Sequence, residues 1–148
     1  MVQSTDQETY RDAVRTVLHT HEIATVEIRI TQILRLDLEG DGVEEVIVSS
    51  SNLDSLSPNA PRGGYSLVAL RRVIADTVAT FLLGEDYYSD GCTFCGPVVH
   101  RVAAVLDLTG DNVMEIITAF KHYEGEGKNI FSVAGSIPEK VLGWSCGV

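Results

Sequence analysis

Two acidic segments repeat one arrangement: Asp37-Leu-Glu39-Gly-Asp41-Gly-Val-Glu-Glu45 and Asp107-Leu-Thr109-Gly-Asp111-Asn-Val-Met-Glu115. Each sets oxygen-bearing side chains at positions 1, 3, 5 and 9, with a residue tolerant of a tight turn at position 6. A hard cation such as calcium binds through several oxygens at about 2.3–2.6 Å, and a folded-back loop of alternating side chains can supply them. The spacing therefore points to two calcium sites. In the first, Asp37, Glu39, Asp41 and Glu45 offer carboxylates and Val43 its main-chain carbonyl, while Gly42 admits the positive φ of the turn. In the second, Asp107, Asp111 and Glu115 are the acids, Thr109 substitutes a hydroxyl, and Val113 gives the carbonyl. Asn112 takes the turn position, as the non-glycine residue most tolerant of a left-handed backbone. Three carboxylates against four predict that the second site is weaker. The plain alternative is a hairpin turn, which Gly-Asp-Gly and Gly-Asp-Asn favour without metal. An EF-hand does not fit: its bidentate acid at position 12 is replaced by Val48 and Thr118, and the flanks read as strands rather than helices. A dockerin-like loop fails on the same grounds.

The elements that must carry these hairpins are mostly β. Thr5-x-x-Glu8 is a capping-box pattern, and Tyr10, Ala13, Val14, Val17 and Leu18 follow helical spacing, so a helix is expected over 5–20. His19-Thr-His21 at its end reads as exposed histidines beside a helix C-terminus rather than as a ligand pair. From Val26 the pattern turns to strands, expected at 26–37, 43–51, 64–72, 75–84, 98–107, 114–123, 129–134 and 139–146. They divide into two sets of four, each with its acidic loop between first and second strand, and equivalent aspartates lie 107 − 37 = 70 residues apart. A repeated four-stranded meander is the pattern of a propeller blade. The expected fold is mainly β: two four-stranded antiparallel, propeller-blade-like sheets with one N-terminal α-helix. The domains are 1–24 for the helix and lead-in, 25–91 for the first repeat and 92–148 for the second. Residues 52–63 and 84–97 read as long loops, which in a compact domain are functional or packed against a neighbour.

Composition bounds the rest. The 148 residues carry 11 Lys and Arg against 21 Asp and Glu, a formal charge of −10. That balance excludes the basic footprint that nucleic acid needs and disfavours an anionic membrane surface. Without a cation each acidic cluster repels itself, so metal binding should stabilise the fold by linkage. No apolar run reaches the roughly 18–20 residues that span a bilayer, and Met1-Val-Gln-Ser-Thr-Asp has no signal-peptide core, so a soluble chain without membrane insertion is expected. Cys92 and Cys95 form a C-x-x-C and Cys146 stands apart, open to a disulfide, free thiols, or a zinc half-site completed in space by His100.

The pattern Asp-Leu-x-Gly-Asp-Gly-x-x-Glu-Val-Ile-Val, with its degenerate second copy, resembles the calcium-binding FG-GAP/VCBS repeats of integrin-α-type β-propellers and of many bacterial surface proteins. The resemblance covers 26–148, and the family's Phe-Gly…Gly-Ala-Pro signature is not evident. It implies calcium held by Asp37, Glu39, Asp41, Val43 and Glu45, and by Asp107, Thr109, Asp111, Val113 and Glu115. It also implies a non-catalytic, extracellular or cell-surface module for adhesion or self-assembly. Two blades are fewer than a closed propeller uses, so a homo-oligomer or filament through exposed sheet edges is expected, with a protein or glycan ligand. Glycan binding through Tyr87, Tyr88, Phe94 and Trp144 is the alternative. A hydrolase is the weaker one, since no nucleophile elbow, His-Glu-x-x-His or phosphate-binding glycine loop is present.

Overall fold

A computed structural model describes residues 8–24 and 27–147, so Thr5 of the capping pattern, Val26 and Val148 lie outside the described residues. Helix α1 (Glu8–Thr20) buries Tyr10, Val14 and Leu18, a stripe at four-residue spacing. Just past it, Glu22 is left-handed at φ 58° and the Ile23 N–H returns to the Leu18 carbonyl at 3.0 Å, which turns the chain back and buries Ile23.

Eight strands follow: β1 (Ile30–Leu36), β2 (Glu45–Ser51), β3 (Gly64–Ile74), β4 (Thr77–Tyr88), β5 (Val99–Leu106), β6 (Glu115–His122), β7 (Gly125–Ser132) and β8 (Glu139–Gly147). They form two four-stranded antiparallel meanders, sheet 1 in the order β1-β2-β3-β4 and sheet 2 in the order β5-β6-β7-β8. This is the expected mainly-β class with one N-terminal helix. The last strand of sheet 1 ends at Tyr88 and the first of sheet 2 starts at Val99, so the expected division at 91/92 falls in the connection.

Alternation along the strands divides the apolar residues of sheet 1 between two cores. On one face Ile33, Val48, Tyr65, Leu67 and Ala69 meet Tyr10, Val14 and Leu18 of α1. On the other, Ile47, Val68, Leu70 and Leu83, with Leu38, meet Val102, Ile116, Phe131 and Val133 of sheet 2. The layers are therefore helix, sheet 1, sheet 2. Each fully buried Leu or Ile contributes about 1.5–3 kcal/mol to this stack.

Element bounds depart from the sequence expectation by more than two residues in three places. Among the described residues, 27–29 lie outside β1: the Arg29 N–H goes to the Tyr65 hydroxyl, and only the Arg29 carbonyl still meets β2, at Ser51 N–H and Ser50 Oγ. The β3–β4 turn falls two residues later than expected, at Ala75 and Asp76 with φ 49° and 62°, and pairing runs from Ile74↔Thr77 on to Gly64↔Tyr88. Gly84 does not end β4. A Cβ there would lie 2.6 Å from Nδ1 of His100, so the glycine lets the histidine of β5 approach. Likewise β7 starts at Gly125 rather than 129, because Gly127 leaves room for Phe120, whose ring would meet a Cβ at 2.3 Å.

Candidate metal centre

One acidic hairpin joins β1 to β2 and the other joins β5 to β6. Their hydrogen bonds correspond position by position. The aspartate at position 1 accepts the N–H of position 6, Gly42 to Asp37 at 2.8 Å and Asn112 to Asp107 at 2.9 Å. The aspartate at position 5 accepts the N–H of position 7, Val43 to Asp41 at 2.9 Å and Val113 to Asp111 at 3.0 Å. The glutamate at position 9 accepts the N–H of position 2, Leu38 to Glu45 at 2.9 Å and Leu108 to Glu115 at 2.7 Å. Gly40 and Gly42 sit at φ 70° and 88°, and Gly110 and Asn112 at 79° and 68°. Position 4 thus joins position 6 in needing a left-handed backbone, a requirement that the donor spacing does not display.

These bonds set the charge states. Asp37 is held below its ordinary 3.8 by main-chain N–H donors, Gly42 foremost, and Asp107 likewise by Asn112 foremost. Glu45, 3% exposed, is pushed above its ordinary 4.5 by burial, against the Leu38 N–H and the charge of Arg72. The signs oppose. A depressed carboxyl gives stability that is present above 3.8 and lost as pH falls through its folded value. A raised carboxyl gives stability that is present below 4.5 and lost as pH rises through its folded value. Urea unfolding at several pH values should therefore show wild type gaining on Glu45→Gln as pH falls from neutral toward 4.5. Below 3.8 wild type should lose stability that Asp37→Asn does not have to lose. An unchanged wild-type-to-Glu45→Gln difference across the upper window would contradict the assignment.

Position 3 breaks the symmetry. The Glu39 carboxylate turns to Arg72 Nη2 at 2.5 Å, whereas Thr109 gives its N–H to Asp107 at 3.1 Å. A carboxylate oxygen accepting one N–H keeps a further lone pair, and the donor set is all oxygen, so its chemistry suits a hard cation. Yet among the described residues no three His, Cys, Asp or Glu side chains converge on a point that would hold a metal ion. Each hairpin gathers its acids around one turn without closing them into a cage.

The other expected groups separate. Cys92 and Cys95 are bonded to each other, while Cys146 is a free, exposed thiol on β8. His100 is buried between the sheets with Nε2 2.6 Å from Asp86 Oδ2. The zinc arrangement with His100 and Cys146 is therefore not assembled: Cys92 and Cys95 bond each other, His100 faces Asp86, and Cys146 stands exposed on β8. His21 stacks on Tyr87 at 3.9 Å and is not paired with His19. The four aromatics do not form one platform, because Tyr87 packs into the helix-side core and the Tyr88 hydroxyl accepts the Val98 N–H. Phe94 instead lines a cleft of about 420 Å³ with Pro58, His122 and Tyr123. The two long loops brace each other: Ala60 and Cys92 exchange both main-chain hydrogen bonds at 3.0 Å, and Phe94 N–H reaches Asn59 Oδ1 at 2.8 Å.

What the sequence reading missed is how sheet 2 is fastened. Gln32 Oε1 accepts the Val102 N–H at 2.8 Å while its Nε2 donates to the Val102 carbonyl at 3.2 Å, so a side chain completes the ladder where β5 bulges. Ser66 Oγ takes the His100 N–H at 2.8 Å. The available signal was polar residues inside apolar strands, since such groups fold only if partnered.

No protein-family model, curated protein or solved structure matches the chain. The resemblance to calcium-binding repeats therefore stands on the hairpin residues alone.

Proposed function

We propose that the protein is a non-catalytic, calcium-binding β-repeat module of the FG-GAP/VCBS type, working outside the cell or at its surface in adhesion or self-assembly. One observation carries the reading: two hairpins seventy residues apart hold the same acids by the same N–H donors at positions 1, 5 and 9. Asp37, Glu39, Asp41, Glu45 and the Val43 carbonyl would hold the ion in the first, with Asp107, Thr109, Asp111, Glu115 and the Val113 carbonyl in the second. Calcium would supply charge neutralisation to turns that concentrate carboxylates. The Cys92–Cys95 bond supports an oxidising compartment.

Extracellular modules bind calcium at about 10⁻⁴–10⁻³ M, so about 10 mM calcium should add roughly 1.4–2.7 kcal/mol per site. Thermal unfolding should shift upward by about 3–10 °C for each occupied site between excess chelator and calcium. Asp37→Asn should remove most of that increment and Asp107→Asn less of it. The readout is the calcium-dependent difference, because both aspartates also hold their turns. Identical melting in chelator and calcium removes metal from the account. Glycan binding remains the second reading, supported by the cleft that Phe94, 83% exposed, lines together with Tyr123.

A further inference from the structure

The two sheets stack in the same sense rather than face to face in mirror fashion. Leu38 and Ile47 of sheet 1 are 1% and 0% exposed because sheet 2 covers them. Their equivalents 70 residues on, Leu108 and Ile117, lie on the side of sheet 2 that faces away, where Leu108 is 48% exposed. Register places Ile117, Ile130 and Leu142 side by side on this outer face, with Ala119, Lys128 and Trp144 in the next row. Leu106, Leu142 and Trp144 are 39%, 59% and 51% exposed. The same repeat position is core in one copy and bare in the other.

We infer that this outer face pairs with the same face of a second copy of the chain, giving a closed two-fold dimer. Among the described residues sheet 1 has no face left to offer, since α1 covers one side and sheet 2 the other. A head-to-tail run of sheets would have to displace α1. The remaining pairing is isologous, outer face to outer face, and it leaves a helix capping each end of a four-sheet stack. Charge sets the orientation. Arg101, Lys121 and Lys128, with Glu126 opposite Lys121, lie at one end of the face and leave it net positive, while Asp107, Asp111 and Glu139 lie at the hairpin end. A two-fold axis across the strands sets the basic end of each copy on the acidic end of the other, whereas an axis along the strands would set lysine on lysine. Four strands about 4.8 Å apart and about 25 Å long give a footprint of roughly 500 Å² per copy, before side-chain relief. The pair then reaches the roughly 1,000 Å² at which an interface becomes specific.

This deepens the assembly part of the proposed function and is independent of its calcium part. Sedimentation velocity at 1–100 µM (on the order of usual dimer affinities), run in chelator and again in calcium, tests it. The expected species has twice the 16.1 kDa chain mass in both. Trp144→Glu and Leu142→Glu, both at exposed positions, should give monomer with an unchanged circular dichroism spectrum and a dissociation constant raised at least about 100-fold. A wild-type monomer throughout, a dimer that survives both substitutions, or a ladder of higher species would overturn the inference. A failed calcium shift in melting leaves this result untouched, so the two readings fail separately.

Discussion

Arg72→Met should cost about 3–5 kcal/mol and lower the melting temperature by roughly 6–20 °C, one of the largest single losses expected in the chain. The guanidinium is 7% exposed and serves three acceptors: Glu39 Oε2 at 2.5 Å, the Gly135 carbonyl at 2.8 Å and the Val133 carbonyl at 3.2 Å. It ties the first acidic hairpin to the loop between β7 and β8, across the sheet boundary. Methionine keeps the stem's packing and removes all three bonds, leaving a part-buried carboxylate and two carbonyls unpaired. Glu39→Gln alone should cost less, and the double variant less than the sum, because the second change removes the charge that the first strands. Chemical denaturation of the four proteins closes the cycle. Additive losses would show that the two side chains do not act as a pair. The ion pair has no counterpart in the second repeat, where Thr109 stands at the position of Glu39 and register puts Ser132 at that of Arg72. Both members differ together, as expected if the pair is needed only where another sheet lies over it.

Strand count, meander pairing and the place of each acidic hairpin were legible because apolar alternation and turn residues are local signals. Val46-Ile-Val48 and Ile116-Ile-Thr118 fix their strands without reference to anything distant. Bounds set by another element were not legible. Gly84 reads locally as a stop, yet its missing side chain answers to His100 sixteen residues on. Gln32 reads as a blemish in β1, yet it completes the hydrogen bonding of β5. The acids of the candidate site read as ion ligands because their spacing is visible, while their N–H partners depend on left-handed residues at positions 4 and 6. The turn and the ion site share one pattern, so the letters alone could not rank them.

Leu38→Ala and Leu108→Ala make the same chemical change at equivalent repeat positions and should differ several-fold in cost. Leu38 is 1% exposed within the core between the sheets, and its carbonyl accepts the Met114 N–H at 2.8 Å from the sheet 2 hairpin. Truncation there removes buried methyls and leaves a void that the two sheets cannot close without shifting, a loss of about 2–5 kcal/mol. Leu108 is 48% exposed, so its truncation should stay within about 0.5 kcal/mol when measured at a concentration low enough to keep the chain monomeric. The same variant should then weaken the dimer at higher concentration, since Leu108 lies on the outer face. Urea unfolding at low concentration and sedimentation at high concentration separate the two effects. Equal costs in the monomer would mean that the repeats do not stack in one sense, and the assignment of sheet 2's outer face as the uncovered counterpart of the inter-sheet core would fall with it.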